Sequence, residues 1–157
     1  MFSLDIPGRA TLTLEHIVLD VNGTIALDGE LLPGVTERLA ELRPILTIHL
    51  ITADTHGRQR EIDRLLGLTA TLLPAGIDQA DAKAALVREL GADRCVAIGN
   101  GANDTLMLEE AALGICVVGT EGAAVASLVN ADVVVTGITD ALDLLLYPRR
   151  LVATLRR

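Results

Sequence analysis

Aromatic side chains are nearly missing from these 157 residues: there is no tryptophan, and Phe2 and Tyr147 stand alone. A clamp that stacks on nucleobases has no material here, which argues against strong selectivity for an adenine ring. Positive charge is scarce as well. The formal net charge is −8 and the pI is about 4.7, so neither nucleic acid nor an anionic membrane surface is expected as a partner. Charged residues interrupt every apolar run well short of the roughly 18 residues needed to span a bilayer. The N-terminus lacks a signal-peptide pattern, and no lipidation motif stands out, so the expectation is a soluble, cytoplasmic protein. Cys95 and Cys116 are the only cysteines. Both lie in apolar segments without metal-ligating neighbours and read as small core residues, not as a disulfide.

What the chain does have is apolar material, at half of its residues. Its length fits a single domain over 1–157, and no repeat or linker divides it. Alternation at 3–6 and 10–14 around Pro7-Gly8-Arg9 predicts a β-hairpin covering a sheet edge. A strand at 15–20 follows, then a short hairpin flap turning at Asp28-Gly29. Helical spacing of Val35, Leu39 and Leu42 between Pro33 and Pro44 predicts the first helix. Strands near 45–51, 69–73, 94–98, 113–118 and 132–136 then alternate with helices near 56–66, 79–90, 103–112, 121–129 and after 138. This pattern predicts an α/β fold: a doubly wound three-layer sandwich with a mainly parallel central sheet.

In such sheets ligands sit outside the carboxyl ends of the strands, and several chemistry-bearing residues fall there. Asp20 ends the run Ile17-Val18-Leu19. Gly23 allows a sharp turn that would leave backbone N–H groups free for phosphate oxygens, and Thr24 adds a hydroxyl. Thr52 follows Ile48 to Ile51, where its hydroxyl and the N–H of Ala53 could hold one phosphate oxygen. Lys83 is the only lysine beside twelve arginines, a point charge in a chain that otherwise uses guanidinium. Gly99 to Asp104 is neither a dinucleotide fingerprint nor a P-loop. Its turn presents Asn100, Asn103 and Asp104, oxygen-bearing groups suited to a hard cation or a lysine partner.

These four signals, in this order and spacing over 15–147, resemble the haloacid dehalogenase (HAD) superfamily. Gly99-Asn100-Gly101-Ala102-Asn103-Asp104 resembles the hinge motif of P-type ATPase phosphorylation domains, and the chain looks like the small soluble P-type ATPase-like group. The resemblance implies an Mg²⁺-dependent phosphohydrolase in which Asp20 becomes an aspartyl phosphate. It implies that Thr52 and Lys83 steady the phosphoryl group. Asp20, the backbone carbonyl of Asn22, Asn100 and Asp104 would surround the metal.

Two departures qualify these implications. Asn22 stands where phosphatases of the superfamily carry an acid/base aspartate, so slow turnover is expected. Asn100 replaces a usual aspartate and lowers the charge of the cation site. The spans of 27 residues between Thr24 and Thr52 and 30 between Thr52 and Lys83 leave no room for a cap domain. An uncapped site is either open to a large phosphorylated partner or closed by a neighbouring subunit in a homo-oligomer, and the expected substrate is a phosphorylated small molecule or nucleotide. Two other readings compete: a phosphate-binding regulatory module with little catalysis, and a receiver domain. The order of the acidic residues is wrong for a receiver.

Overall fold

The computed structural model describes residues 1–157. The strands are β1 (Phe2–Leu4), β2 (Leu12–Leu14), β3 (His16–Asp20), β4 (Ala26–Leu27), β5 (Glu30–Leu31), β6 (Thr47–Thr52), β7 (Thr71–Leu72), β8 (Cys95–Gly99), β9 (Leu113–Val117) and β10 (Val133–Val135). The helices are α1 (Val35–Leu42), α2 (Gln59–Leu66), α3 (Gln79–Leu90), α4 (Thr105–Glu110), α5 (Val125–Asn130), α6 (Ile138–Leu146) and α7 (Pro148–Leu155). A 3-10 turn, Ala102–Asp104, precedes α4.

Six strands form one parallel sheet in the order β10-β9-β8-β3-β6-β7. The expected doubly wound α/β architecture is present. From β3 the chain winds outward through β6 and β7, then crosses by α3 to β8 on the other side. The winding therefore reverses between β3 and β8, where the strand tips diverge and open a crevice. Asp20 and Asn100 flank that reversal.

Both sheet faces are covered, which is why the strands are apolar without alternation. Ile17, Leu19, Val96 and Ile98 point to the thicker side, a cluster of 29 buried residues shared with α1, α2, α6 and α7. Val18, Ile51, Ala97 and Cys116 face the thinner side, nine buried residues with α3 and α4. Both cysteines are free and buried, in keeping with the core reading.

The first hairpin departs from expectation. β1 and β2 pair antiparallel, with Phe2 opposite Leu14, yet they cover no sheet edge. The Met1 amino group donates to Ile45 O, Glu15 N donates to Arg94 O, and Arg9 pairs with Asp132 at 3.1 Å. The hairpin thus spans the amino ends of β6, β8 and β10. The reason is topological: it feeds β3, a central strand, and can only emerge beneath the middle of the sheet. The flap β4–β5 turns at Asp28 and Gly29, with φ of 51° and 80°. Helix α5 starts at Val125, four residues later than expected, because Gly119 and Gly122 close a tight loop first.

Candidate active site

The crevice begins with Asp20, which β3 delivers opposite Ile51 of β6. Asp20 is buried, 7% exposed. Oδ1 accepts from Lys83 Nζ at 2.8 Å, and Oδ2 accepts from Thr24 Oγ1 at 3.0 Å. Lys83 reaches it from the first turns of α3, whose N-cap Asp78 accepts from Asp81 N. Only 1% of Lys83 is exposed, so its full length runs through the thinner core side to place the ammonium at the strand tips.

Asp104 holds that ammonium from behind. Its Oδ1 accepts from Lys83 Nζ at 2.7 Å, and its Oδ2 accepts from Asn100 N and Gly101 N, each at 2.9 Å. One carboxylate therefore fixes both the lysine and the loop after β8. Gly99 makes room for it: a Cβ there would lie 2.5 Å from Asp104 Cγ.

The resulting charge order is carboxylate, ammonium, carboxylate. Burial foremost, and then the charge of Asp104, push the Asp20 carboxyl up to about 7, against the pull of Lys83 and Thr24. For Lys83 burial disfavours the charge, but the two carboxylates outweigh it and raise its pKa. Lys83 stays an ammonium, while Asp20 is poised near neutrality awaiting further positive charge.

A cavity of about 190 Å³ opens over this group, lined by Asp20, Asn22, Thr52, Ala53, Lys83 and Asn100 among others. Thr52, the last residue of β6, accepts from Asp54 N at 3.0 Å, which leaves its own O–H to donate. Asn103 lines the cavity with its amide donating to Gln79 Oε1 at 2.7 Å. His56 is exposed on the loop before α2.

Three placements correct the sequence reading. The Gly23 and Thr24 backbone N–H groups are not free for phosphate: Gly23 N donates to Ala26 O and Thr24 N to Val21 O, because the turn closes on itself. Thr24 instead directs its hydroxyl at Asp20 and at Asn100 Oδ1, 3.2 Å away. Asp104, expected beside a metal or with a lysine partner, takes the lysine: it is fully buried with both oxygens engaged by Lys83 and backbone amides, not turned to the cavity. Glu121 was missed altogether. It lines the same cavity from the loop after β9, where the sequence pattern predicts the first residue of a helix.

The donor set fits a hard cation. No three His, Cys, Asp or Glu side chains gather into a protein-only metal cage. Asp20 offers a carboxylate, Asn100 an amide oxygen, and Asn22 Oδ1 is buried without a hydrogen-bond partner. Mg²⁺ suits such a sparse set, since it keeps several waters and binds through one or two carboxylates plus substrate phosphate.

A family model described as haloacid dehalogenase-like hydrolase matches residues 3–112. The chain belongs to that family. Among solved structures of similar fold is the 3-deoxy-D-manno-octulosonate 8-phosphate phosphatase of Moraxella catarrhalis, in complex with magnesium, phosphate and KDO. It is 20% identical, with 91% of this chain and 94% of that one covered at a TM-score of 0.65. The catalytic domain of the CPx-ATPase CopB-B is 19% identical over 74% of this chain and 46% of that one, at a TM-score of 0.61. These identities show a shared fold. An uncharacterised protein of Methanocaldococcus jannaschii is 56% identical over 63 residues, covering 40% of this chain and 68% of that protein. No helix is long and apolar enough to cross a membrane.

Proposed function

We propose that this HAD hydrolase is an Mg²⁺-dependent phosphohydrolase that works through an aspartyl phosphate on Asp20 and turns over slowly. The observation that carries the reading is the buried Lys83–Asp20 pair, 2.8 Å apart at the mouth of a polar cavity. An ammonium fixed there pulls against the burial that raises the Asp20 pKa and faces the charge that develops on a transferring phosphoryl group.

Asp20 attacks phosphorus, the bond to the leaving oxygen breaks, and an acyl phosphate forms; water then releases inorganic phosphate and restores the carboxylate. Thr52 O–H and Ala53 N–H hold one phosphoryl oxygen during both halves. Asp104 acts through Lys83, fixing its position. Asp20, Asn100 and the backbone carbonyl of Asn22 would hold Mg²⁺, which would supply positive charge to neutralise the carboxylate and the phosphate. Asn22 cannot protonate the leaving group or activate water, so solvent supplies the proton to the leaving oxygen, water attacks without a base, and both halves are slowed.

The whole of 1–157 acts as one cytoplasmic domain, on a phosphorylated small molecule or a nucleotide, with a neighbouring copy free to close the uncapped site. The sugar phosphate acted on by the Moraxella relative makes octulosonate and related sugar phosphates the first substrates to screen. Incubation with acetyl phosphate and Mg²⁺ should leave a hydroxylamine-sensitive phosphoprotein in the natural protein and none in Asp20→Asn. Equal labelling of both would remove the reading. Asn22 also favours a second one, a phosphate-binding regulatory module. Beryllium fluoride binding without turnover across a broad substrate panel would select it.

A further inference from the structure

The loop between β9 and α5 carries Glu121 into the cavity beside Asn100. A Cβ at Gly23 would collide with Glu121 Oε2 and lie 2.8 Å from Asn100 Nδ2 and 3.1 Å from Asn100 Oδ1. The Glu121 carboxylate and the Asn100 amide therefore share the space that Gly23, with φ of 83°, leaves open. Glu121 takes part in none of the ion pairs of the molecule.

Asn100 also determines where that loop lies. Its Nδ2 donates to Gly122 O at 3.3 Å, and its backbone O accepts from Ala124 N at 2.8 Å. Within the loop, Gly122 N donates to Gly119 O at 2.9 Å, with Gly122 at φ of 76°. A carboxylate at position 100 has no N–H to give Gly122. The amide thus lowers the charge of the site and, by the same substitution, anchors the segment that brings a carboxylate to it.

We propose that Glu121 is a charge-supplying residue of the cation site, returning the negative charge that Asn100 lacks. The inference rests on the Mg²⁺-dependent reading above and goes beyond it in assigning a residue and a link between two loops. Glu121 is exposed, and it does not close with Asp20 and Asp104 into a three-carboxylate cage. It acts through its field on the hydrated ion, where partners beyond the direct ligands change metal affinity by about 10–100-fold.

Mn²⁺ binding, followed by counting free ions with electron paramagnetic resonance, tests this without any turnover. Glu121→Gln should weaken Mn²⁺ binding by about 10–100-fold while leaving the far-ultraviolet circular dichroism and melting temperature unchanged. Adding Asn100→Asp to Glu121→Gln should restore most of the affinity, because one carboxylate again faces the ion. Unchanged binding in Glu121→Gln, or no recovery in the double variant, overturns the proposal for Glu121 alone. If the natural protein binds no Mn²⁺, both this proposal and the Mg²⁺-dependent reading fall.

Discussion

At the scale of single residues, Asp20 and Asn22 yield separate tests. Burial, with the charge of Asp104, pushes the Asp20 carboxyl up to about 7 in the fold against 3.8 ordinarily. Between those values the folded protein keeps a proton that the unfolded chain releases, so stability is whole below the lower value and declines as pH rises through the upper. Asp20→Asn removes that decline. Without metal, its stability gain over the natural protein should be about 1–3 kcal/mol larger at pH 8 than at pH 5. Urea unfolding in chelator at the two pH values measures this, and an equal gain at both would contradict it. Asn22→Asp should speed phosphate release from the labelled phosphoprotein by up to about 10²–10⁴-fold, read in a single-turnover chase. Asp20, Thr52 and Lys83 were legible in the sequence because each sits at a strand tip or breaks a compositional habit. The inward turn of Asp104 was not, since side-chain direction at a loop depends on what the opposite helix presents. Glu121 left no trace because nothing in a Gly-Thr-Glu-Gly turn distinguishes a solvated carboxylate from one facing a cavity.

At the scale of elements, the parallel strands were legible because burial on both faces leaves continuous apolar runs, and α3 was recovered over Gln79–Leu90. The short elements were less so: β7 is two residues long and exposed, so backbone pairing, not side-chain pattern, defines it. The close approach of α4 to β9 was also hidden. A Cβ on Gly114 would strike the Leu108 carbonyl oxygen and lie 2.9 Å from its carbon, so this glycine lets helix backbone rest directly on strand backbone. Gly114→Ala must push the two apart and should cost about 1–3 kcal/mol, measurable as a lower urea midpoint with an unchanged slope. Because α4 follows Asp104 directly, the same displacement should loosen the Lys83 anchor. A loss of activity larger than the loss of folded protein would report it.

At the scale of the whole molecule, the unequal core layers determine how the protein comes apart. A cluster of twenty-nine buried residues, continuing into the hairpin at the amino ends of the strands, covers one side of the sheet and a cluster of nine the other, yet both are built on the same central strands. Val18 of β3 faces the thin side while its neighbours Ile17 and Leu19 face the thick one, so neither layer can open without exposing the other. Met107, fully buried in the thin layer, is the sharpest probe of that coupling. Met107→Ala should destabilise the protein by about 2–5 kcal/mol. The scarcity of aromatics makes the readout clean: with no tryptophan, fluorescence comes from Tyr147, at the junction of α6 and α7 on the thick side. If the sheet couples its two faces, Tyr147 emission and far-ultraviolet circular dichroism should shift together to the same lower urea midpoint in Met107→Ala. Separation of the two curves would mean that the thin layer, with Lys83 running through it, opens on its own, and that the site can be dismantled while the rest of the fold stands.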